Sequence, residues 1–218
     1  MRAFKFMMAD LLKSRLQVVF LVLFGVLAYV FMVRSVSPLN GLFYLSFGAV
    51  MMGIQPFMQE QSAEVGFLYM LPGRKTTRVA GRYLYGLMLQ LMSIVLALAD
   101  MAIYVLCFGR GVNGLGEGLA ICFSTGLIFC SLQYILFYVL GRMKSQQMAS
   151  IIMMIPGFLM FFGFSFLFEK GMNLLKPYLQ WIKNNVGLAS AVLVAASLVI
   201  WLAGILISGM IVKNRDDV

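Results

Sequence analysis

The sequence predicts an all-α protein that crosses a membrane several times. Of its 218 residues, 62% are hydrophobic and only 11% are charged, whereas a soluble domain carries roughly 25% charged residues. The apolar residues form runs near the length of about 20 residues that a helix needs to span a bilayer. The net charge of +9 lies in short clusters between these runs. That pattern is typical of cytoplasmic loops and contact with lipid headgroups, and we expect no nucleic-acid partner.

Residues 1–14 predict an amphipathic elbow helix that lies in the headgroup plane ahead of the first span. Apolar side chains recur there at helical spacing, with charged residues between them. The alternative is a basic anchor that only fixes the orientation of the first span. The apolar positions are Phe4, Met7, Met8, Leu11 and Leu12.

Six apolar runs predict six membrane spans within one domain, residues 1–218. The expected spans are 16–36, 38–58, 80–108, 118–140, 147–168 and 187–212. Pro56 lacks an amide donor and is expected to kink or end the second span, and Pro156-Gly157 is expected to kink the fifth. Between spans five and six, residues 169–185 predict an amphipathic helix on the outer surface.

The basic residues predict the orientation of the chain. With the N-terminus inside, twelve Lys and Arg residues lie in the inner segments and five in the outer ones. Because cytoplasmic loops carry the excess of basic residues, we expect the N-terminus in the cytoplasm. Six spans then return the C-terminus to the same side.

Two polar side chains inside apolar runs are candidates for a transport path. Asp100 is the only carboxylate well inside a span, and an ionisable group in the bilayer is costly enough to indicate function. It lies within about two turns of the expected outer end, where solvation or pairing with Arg110 is the alternative. Gln133 in span four is the second candidate, with a hydrogen bond between helices as its alternative role.

Small residues recur at every fourth position where span six begins. They are Gly187, Ala191 and Ala195. Such a stripe lets another helix approach closely, either within the monomer or across a dimer seam.

The composition leaves little for catalysis within this chain. It contains no histidine and only eight carboxylates, which excludes membrane proteases and phosphatases that depend on imidazole. Its three cysteines lack metal-ligand spacing, and its glycine pairs with phosphate-loop spacing are not followed by Lys-Ser or Lys-Thr. We predict that the chain is not an enzyme and binds no metal or cofactor. If ATP drives the protein, another chain binds ATP and Mg²⁺.

The segment from Met58 to Arg82 differs from its hydrophobic surroundings. Residues 62–71 predict about two to three helical turns, with two acids near their start, where the helix dipole favours them. Pro72-Gly73 then ends the helix, and basic residues lead into span three. A short apolar helix held between two spans is suited to transmit force from a soluble motor subunit. The expected docking residues are Glu60, Glu64, Phe67, Leu68, Leu71, Pro72, Gly73 and Arg74.

The residue order in this segment resembles the permease subunits of ABC-2-type ATP-binding-cassette exporters, in particular a short bacterial branch. The similar elements are Glu60-x-x-x-Glu64, residues 71–75 (LPGRK), Val79 and residues 81–84 (GRYL). Gly73 stands where that branch commonly has Ser or a β-branched residue, and Arg82 where it typically has Lys. The elbow helix, the six spans and the outer helix are also similar to the plan of that family.

The resemblance implies a homodimer, or a heterodimer with a second permease, bound to two cytosolic ATPase subunits in the bacterial cell membrane. ATP-driven closure of those subunits would push on residues 60–71, which form a coupling helix in that family. Spans two and three would then relay the motion to an outer gate. The resemblance also implies export of a hydrophobic or amphipathic substrate, such as a peptide or an antibiotic.

The main alternative is a membrane-embedded substrate-binding subunit of a vitamin importer. Such subunits also cross the membrane several times without an ATPase of their own, but they couple through small residues in the first span. Here the first span offers only Gly25 and Ala28, and the coupling signal follows the second span. A non-transporting assembly factor is a further alternative.

Overall fold

The computed structural model describes residues 2–34, 40–59, 74–109, 114–148, 151–152, 154 and 185–214. Over these residues the protein is all-helical, as predicted, and contains no strand. The helices are α1 Arg2–Lys13, α2 Arg15–Arg34, α3 Asn40–Gly53, α4 Gln55–Gln59, α5 Lys75–Phe108, α6 Leu115–Gln147 and α7 Val186–Lys213.

Several of these helices are long and apolar enough to cross a bilayer. In the described chain these stretches are Gly41–Met58, Lys75–Phe108, Leu115–Leu140 and Val186–Lys213, with a shorter one at Val19–Arg34. They coincide with predicted spans two, three, four, six and one. The predicted fifth span and the outer helix at 169–185 lie almost entirely outside the described residues. The total of six spans therefore stays a prediction.

α5 is the central helix of the bundle. It packs against α1, α2, α3, α6 and α7. Its 34 residues extend about 51 Å at 1.5 Å per residue, more than the roughly 30 Å hydrocarbon thickness. The helix is therefore long enough to project beyond the hydrocarbon core. Its buried residues are Val79, Gly81, Tyr83, Tyr85, Gly86, Leu89, Gln90, Ser93, Ala97 and Met101.

α1 folds against the beginning of α5. Ser14 alone separates α1 from α2, and its hydroxyl lies 2.9 Å from the Tyr85 hydroxyl. Gly81 of α5 permits this contact, because a Cβ there would lie 2.7 Å from the Phe6 Cβ and 3.0 Å from the Ala3 carbonyl oxygen. A helix is thus present where the elbow helix is predicted, and its position in the headgroup plane stays a prediction.

Pro56 interrupts the second predicted span, as expected. Ile54 is the turn residue between α3 and α4. Pro56 has no N–H for the carbonyl of the preceding turn, and the Phe57 amide donates to the Ile54 carbonyl at 2.9 Å. In a regular α-helix the Phe57 amide would donate to the Gly53 carbonyl oxygen instead. The Gly53 carbonyl oxygen instead accepts a 2.8 Å hydrogen bond from the Tyr134 hydroxyl of α6.

Glycine allows α5, α6 and α7 to approach closely around buried polar groups. At Gly204 of α7, a Cβ would collide with the Ser131 hydroxyl and lie 3.0 Å from the Tyr83 hydroxyl. The Tyr83 hydroxyl is 2.9 Å from that of Ser208, and the Tyr83 ring meets Trp201 edge-on with centroids 4.9 Å apart. In a bilayer, close packing and hydrogen bonds of this kind hold helices together.

Replacing Gly204 by leucine is expected to destabilise the bundle, because the new side chain would enter space that Ser131 and Tyr83 occupy. Overpacking of this kind costs about 1–3 kcal/mol. Gly116→Leu is the matched control, since nothing lies within 4 Å of a Cβ built at that position. Thermal unfolding of the detergent-solubilised protein measures both variants. Equal melting temperatures would contradict the packing described for Gly204.

Candidate functional site

The predicted docking segment connects α4 to α5. Its residues Glu60, Glu64, Phe67, Leu68, Leu71, Pro72 and Gly73 lie outside the described residues, and their role stays a prediction. Arg74 is described: it is exposed and extended, with φ −65° and ψ 139°, immediately before α5. The next basic residues, Lys75, Arg78 and Arg82, lie in the first turns of α5.

An aromatic cluster holds both flanks of this segment. We call it the inner aromatic cluster: Phe57 of α4, Arg82 of α5, and Tyr134, Phe137 and Tyr138 of α6. Phe57 is only 7% exposed, although it lies three residues before the undescribed part of the segment. Burial so close to a connection shows that α4 is packed into the bundle.

Phe57 contacts three aromatic rings of α6. It stacks on Phe137 with centroids 4.8 Å apart, lies 5.1 Å from Tyr134 and meets Tyr138 edge-on at 5.3 Å. Offset-stacked and edge-to-face pairs of this kind each contribute about 0.5–1.5 kcal/mol beyond the area that they bury. α4 is thereby fixed to the C-terminal half of α6.

Arg82 connects the other flank to the same cluster. Its guanidinium carbon lies 4.4 Å from the centroid of the Phe57 ring, a cation–π contact. The guanidinium also forms a hydrogen bond with the Tyr138 hydroxyl. α4 and α5, the two flanks of the segment, therefore both contact α6.

A second polar site lies deeper in the bundle and is not among the residues predicted from the sequence. Gln90 of α5 is fully buried in a notch at Gly126 of α6, where a Cβ would collide with the Gln90 amide. The Gln90 Nε2 is 3.5 Å from the Ser46 carbonyl oxygen of α3 and 3.9 Å from the Cys130 sulfur. These long contacts connect three helices. The signal available in the sequence was an amide near the middle of a long apolar run.

Asp100 lies in the C-terminal half of α5, and its side chain is partly buried against α2. Its Oδ2 atom is buried and has no hydrogen-bond partner among the described residues. A Cβ built on Gly25 of α2 would lie 4.0 Å from this oxygen. Arg110, the counter-ion considered in the sequence analysis, lies outside the described residues. The role of Asp100 in a transport path stays a prediction.

Gln133 lies at a different depth from Asp100. Asp100 is eight residues from the end of α5, and Gln133 is eighteen residues from the start of α6. At 1.5 Å per residue these positions are about 12 Å and 27 Å from the connection between the two helices. The two predicted path residues therefore do not meet in one site.

The contacts of Gln133 connect α6 to the chain that follows it. Its Nε2 donates to the Ile152 carbonyl oxygen at 3.2 Å, and its buried Oε1 has no hydrogen-bond partner within the described ranges. The hydrogen bond to Ile152 is consistent with the structural role that the sequence analysis gives as the alternative to a place in the transport path.

A protein-family model matches the chain over nearly its whole length. The family is described as "ABC-2 family transporter protein", and the match covers residues 7–213. This range includes the inner aromatic cluster, the Gln90 site and Asp100. No curated protein and no solved structure gives a significant match.

Replacing Tyr134 by phenylalanine is expected to loosen the α3–α4 connection, because the Gly53 carbonyl oxygen loses its donor while the ring packing is kept. The expected loss of stability is about 1 kcal/mol. Hydrogen–deuterium exchange over residues 50–59 measures the local opening. Tyr44→Phe is the control, since Tyr44 is exposed and stacks on Phe31 through its ring. Equal exchange in the two variants would contradict a structural role for the Tyr134 hydroxyl.

Proposed function

Because the chain belongs to the ABC-2 transporter family, we propose that it is the permease subunit of an exporter whose ATP is hydrolysed by a separate cytosolic subunit. The family match over residues 7–213 carries this proposal. A multi-pass membrane protein with several long apolar helices is consistent with that role. The matched family does not support the importer-subunit alternative.

The proposed contact with the ATPase is the segment between α4 and α5. The inner aromatic cluster supports this assignment, because it fixes both flanks of the segment to α6. A partner that displaces a segment anchored in this way moves the membrane helices themselves. The excess of basic residues in the inner segments supports cytoplasmic termini, and we place the protein in the bacterial cell membrane.

The proposed assembly is a dimer, either of two identical chains or with a second permease. Gly187, Ala191 and Ala195 are exposed on α7. Farther along α7, buried residues that include Ser197, Trp201 and Ser208 pack within the chain. The small-residue stripe is thus free, among the described residues, for close approach of a helix from a second subunit.

The proposed substrate is hydrophobic or amphipathic, such as a peptide or an antibiotic. The large exposed surfaces of α2, α5 and α7 are apolar, and the polar groups are few and lie between helices. Asp100 supplies a partly buried carboxylate near the outer end, suited to interact with a cationic group of an amphipathic substrate. We keep Gln133 as the second proposed path residue.

Substituting Glu64→Lys together with Leu71→Asp is expected to abolish binding of the ATPase subunit. The double substitution reverses a charge and places a carboxylate in the apolar docking face, where an unpaired charge is strongly unfavourable. The measurement is co-purification of the affinity-tagged permease with its ATPase from the native host membrane.

Glu117→Lys together with Phe108→Asp is the matched control for that double variant. It makes the same types of change near the connection between α5 and α6, at the opposite end of α5 from the docking segment. The control is expected to retain the ATPase. Retention by the Glu64→Lys, Leu71→Asp protein would contradict the proposed coupling segment.

Asp100→Asn is expected to lower export of a cationic amphipathic peptide by about tenfold, the effect of losing one charge contact of about 1.4 kcal/mol. Uptake of the fluorescently labelled peptide into inverted membrane vesicles measures the change. Co-purification of the ATPase serves as the internal control and should not change. Wild-type uptake by Asp100→Asn would exclude Asp100 from the path of this peptide.

A further inference from the structure

α4 follows α3 in the chain but packs on α6. Ile54 interrupts the helix, and the backbone hydrogen bonds across the break are those of Phe57 and Met58 to the Ile54 carbonyl, at 2.9 Å and 3.3 Å. By contrast, Phe57 contacts three rings of α6 within 5.3 Å. α4 is therefore connected to α3 through a turn and contacts α6 through three aromatic rings.

The break also has a fixed pivot. The Tyr134 hydroxyl of α6 holds the Gly53 carbonyl oxygen at 2.8 Å, immediately before the turn. Gly53 and Gly86 leave room for this hydroxyl, since a Cβ on either would lie 3.1 Å or 2.7 Å from it. The end of α3 is thus held in place while α4 beyond it is connected through a turn.

We propose that α4 is a lever that pivots at Ile54 and passes the motion of the coupling segment to α6 through Phe57. This inference rests on the proposed function and names the first helix to receive the motion. Phe57 is the positioning residue of the lever, and Tyr134 holds its pivot. The family resemblance assigns the relay to spans two and three. The contacts of α4 add span four, which is α6, as the direct recipient.

The physical reason is the difference between a turn and a packed aromatic cluster. A break in a helix absorbs changes in backbone angles over a few residues, as hinges do. Stacked and edge-to-face rings in a close-packed interior are instead displaced together. A push on α4 therefore bends the chain at Ile54 and displaces the inner end of α6.

The distance between the inner ends of α2 and α6 tests the lever. Spin labels are placed at Leu16→Cys and Val139→Cys, both of which are exposed. Cys107→Ala removes the exposed native thiol, and the buried Cys122 and Cys130 are retained. The full permease is assembled with its ATPase in nanodiscs. The distance is measured without nucleotide and with Mg-ATP on a hydrolysis-deficient ATPase.

The lever predicts a nucleotide-dependent change in this distance for the wild-type permease. Phe57→Ala should lower the equilibrium constant for reaching the nucleotide-bound distance by about fivefold, within the range by which a single residue modulates coupling, while the ATPase stays bound. Phe108→Ala is the control, because Phe108 lies at the outer end of α5, is exposed and contacts Tyr104. It should show the wild-type change.

Pro56→Ala tests the pivot without opening a cavity beside α6. It restores the amide donor of residue 56, so α3 and α4 can form one continuous helix. The change in distance should then fall as it does in Phe57→Ala. A wild-type change in both Phe57→Ala and Pro56→Ala, or no change in the wild-type complex with its ATPase bound, would overturn the lever. Failure of the wild-type permease to bind the ATPase would instead contradict the proposed function.

Discussion

The helix break beside Pro56, which lacks an amide proton, creates the hydrogen-bonded contact between α3 and α6. A turn forms at Ile54, where the Phe57 amide donates to the Ile54 carbonyl oxygen, so the Gly53 carbonyl oxygen lacks the donor that a regular α-helix would give it. Inside a bilayer no water is available to satisfy such a group, so another part of the protein must do so. Tyr134, 81 residues away in the chain, supplies the donor. One backbone defect therefore fixes the relation between α3 and α6.

Glycine makes the same kind of contact possible elsewhere in the bundle. Gly126 leaves room for the side-chain amide of Gln90, and Gly204 leaves room for the hydroxyl groups of Ser131 and Tyr83. Lipid tails are as apolar as a leucine side chain, so burial of apolar surface does not by itself drive helix association. Close approach at a glycine, combined with a polar side chain from the facing helix, supplies specific contacts instead. This explains why Gln90, Ser131 and Tyr83 lie beside glycines of the facing helices.

The sequence was sufficient to predict the helical class, the break near Pro56 and the end of α5 at Phe108, because these depend on local composition. It placed the start of span three at residue 80, whereas α5 begins at Lys75. A helix needs apolar residues only where it meets hydrocarbon, so it continues into the headgroup region beyond its hydrophobic stretch. The roles of Gln90 and Tyr134 depend on partners 40 or more residues away. No local pattern identifies such pairs.

The position of Gln90 also constrains how α6 can move. The inner aromatic cluster binds α6 firmly to α4 and α5, while Gln90 occupies the notch at Gly126 deeper in the bundle. Sliding α6 along α5 would replace that glycine with a residue that has a side chain, which the close contact does not admit. If α6 instead tilts about the level of Gln90, Gly126 stays opposite the Gln90 side chain. Tilting is therefore the less costly motion. In the proposed lever it would convert a displacement at Phe57 into an opposite displacement at the other end of α6, near which Asp100 lies on α5.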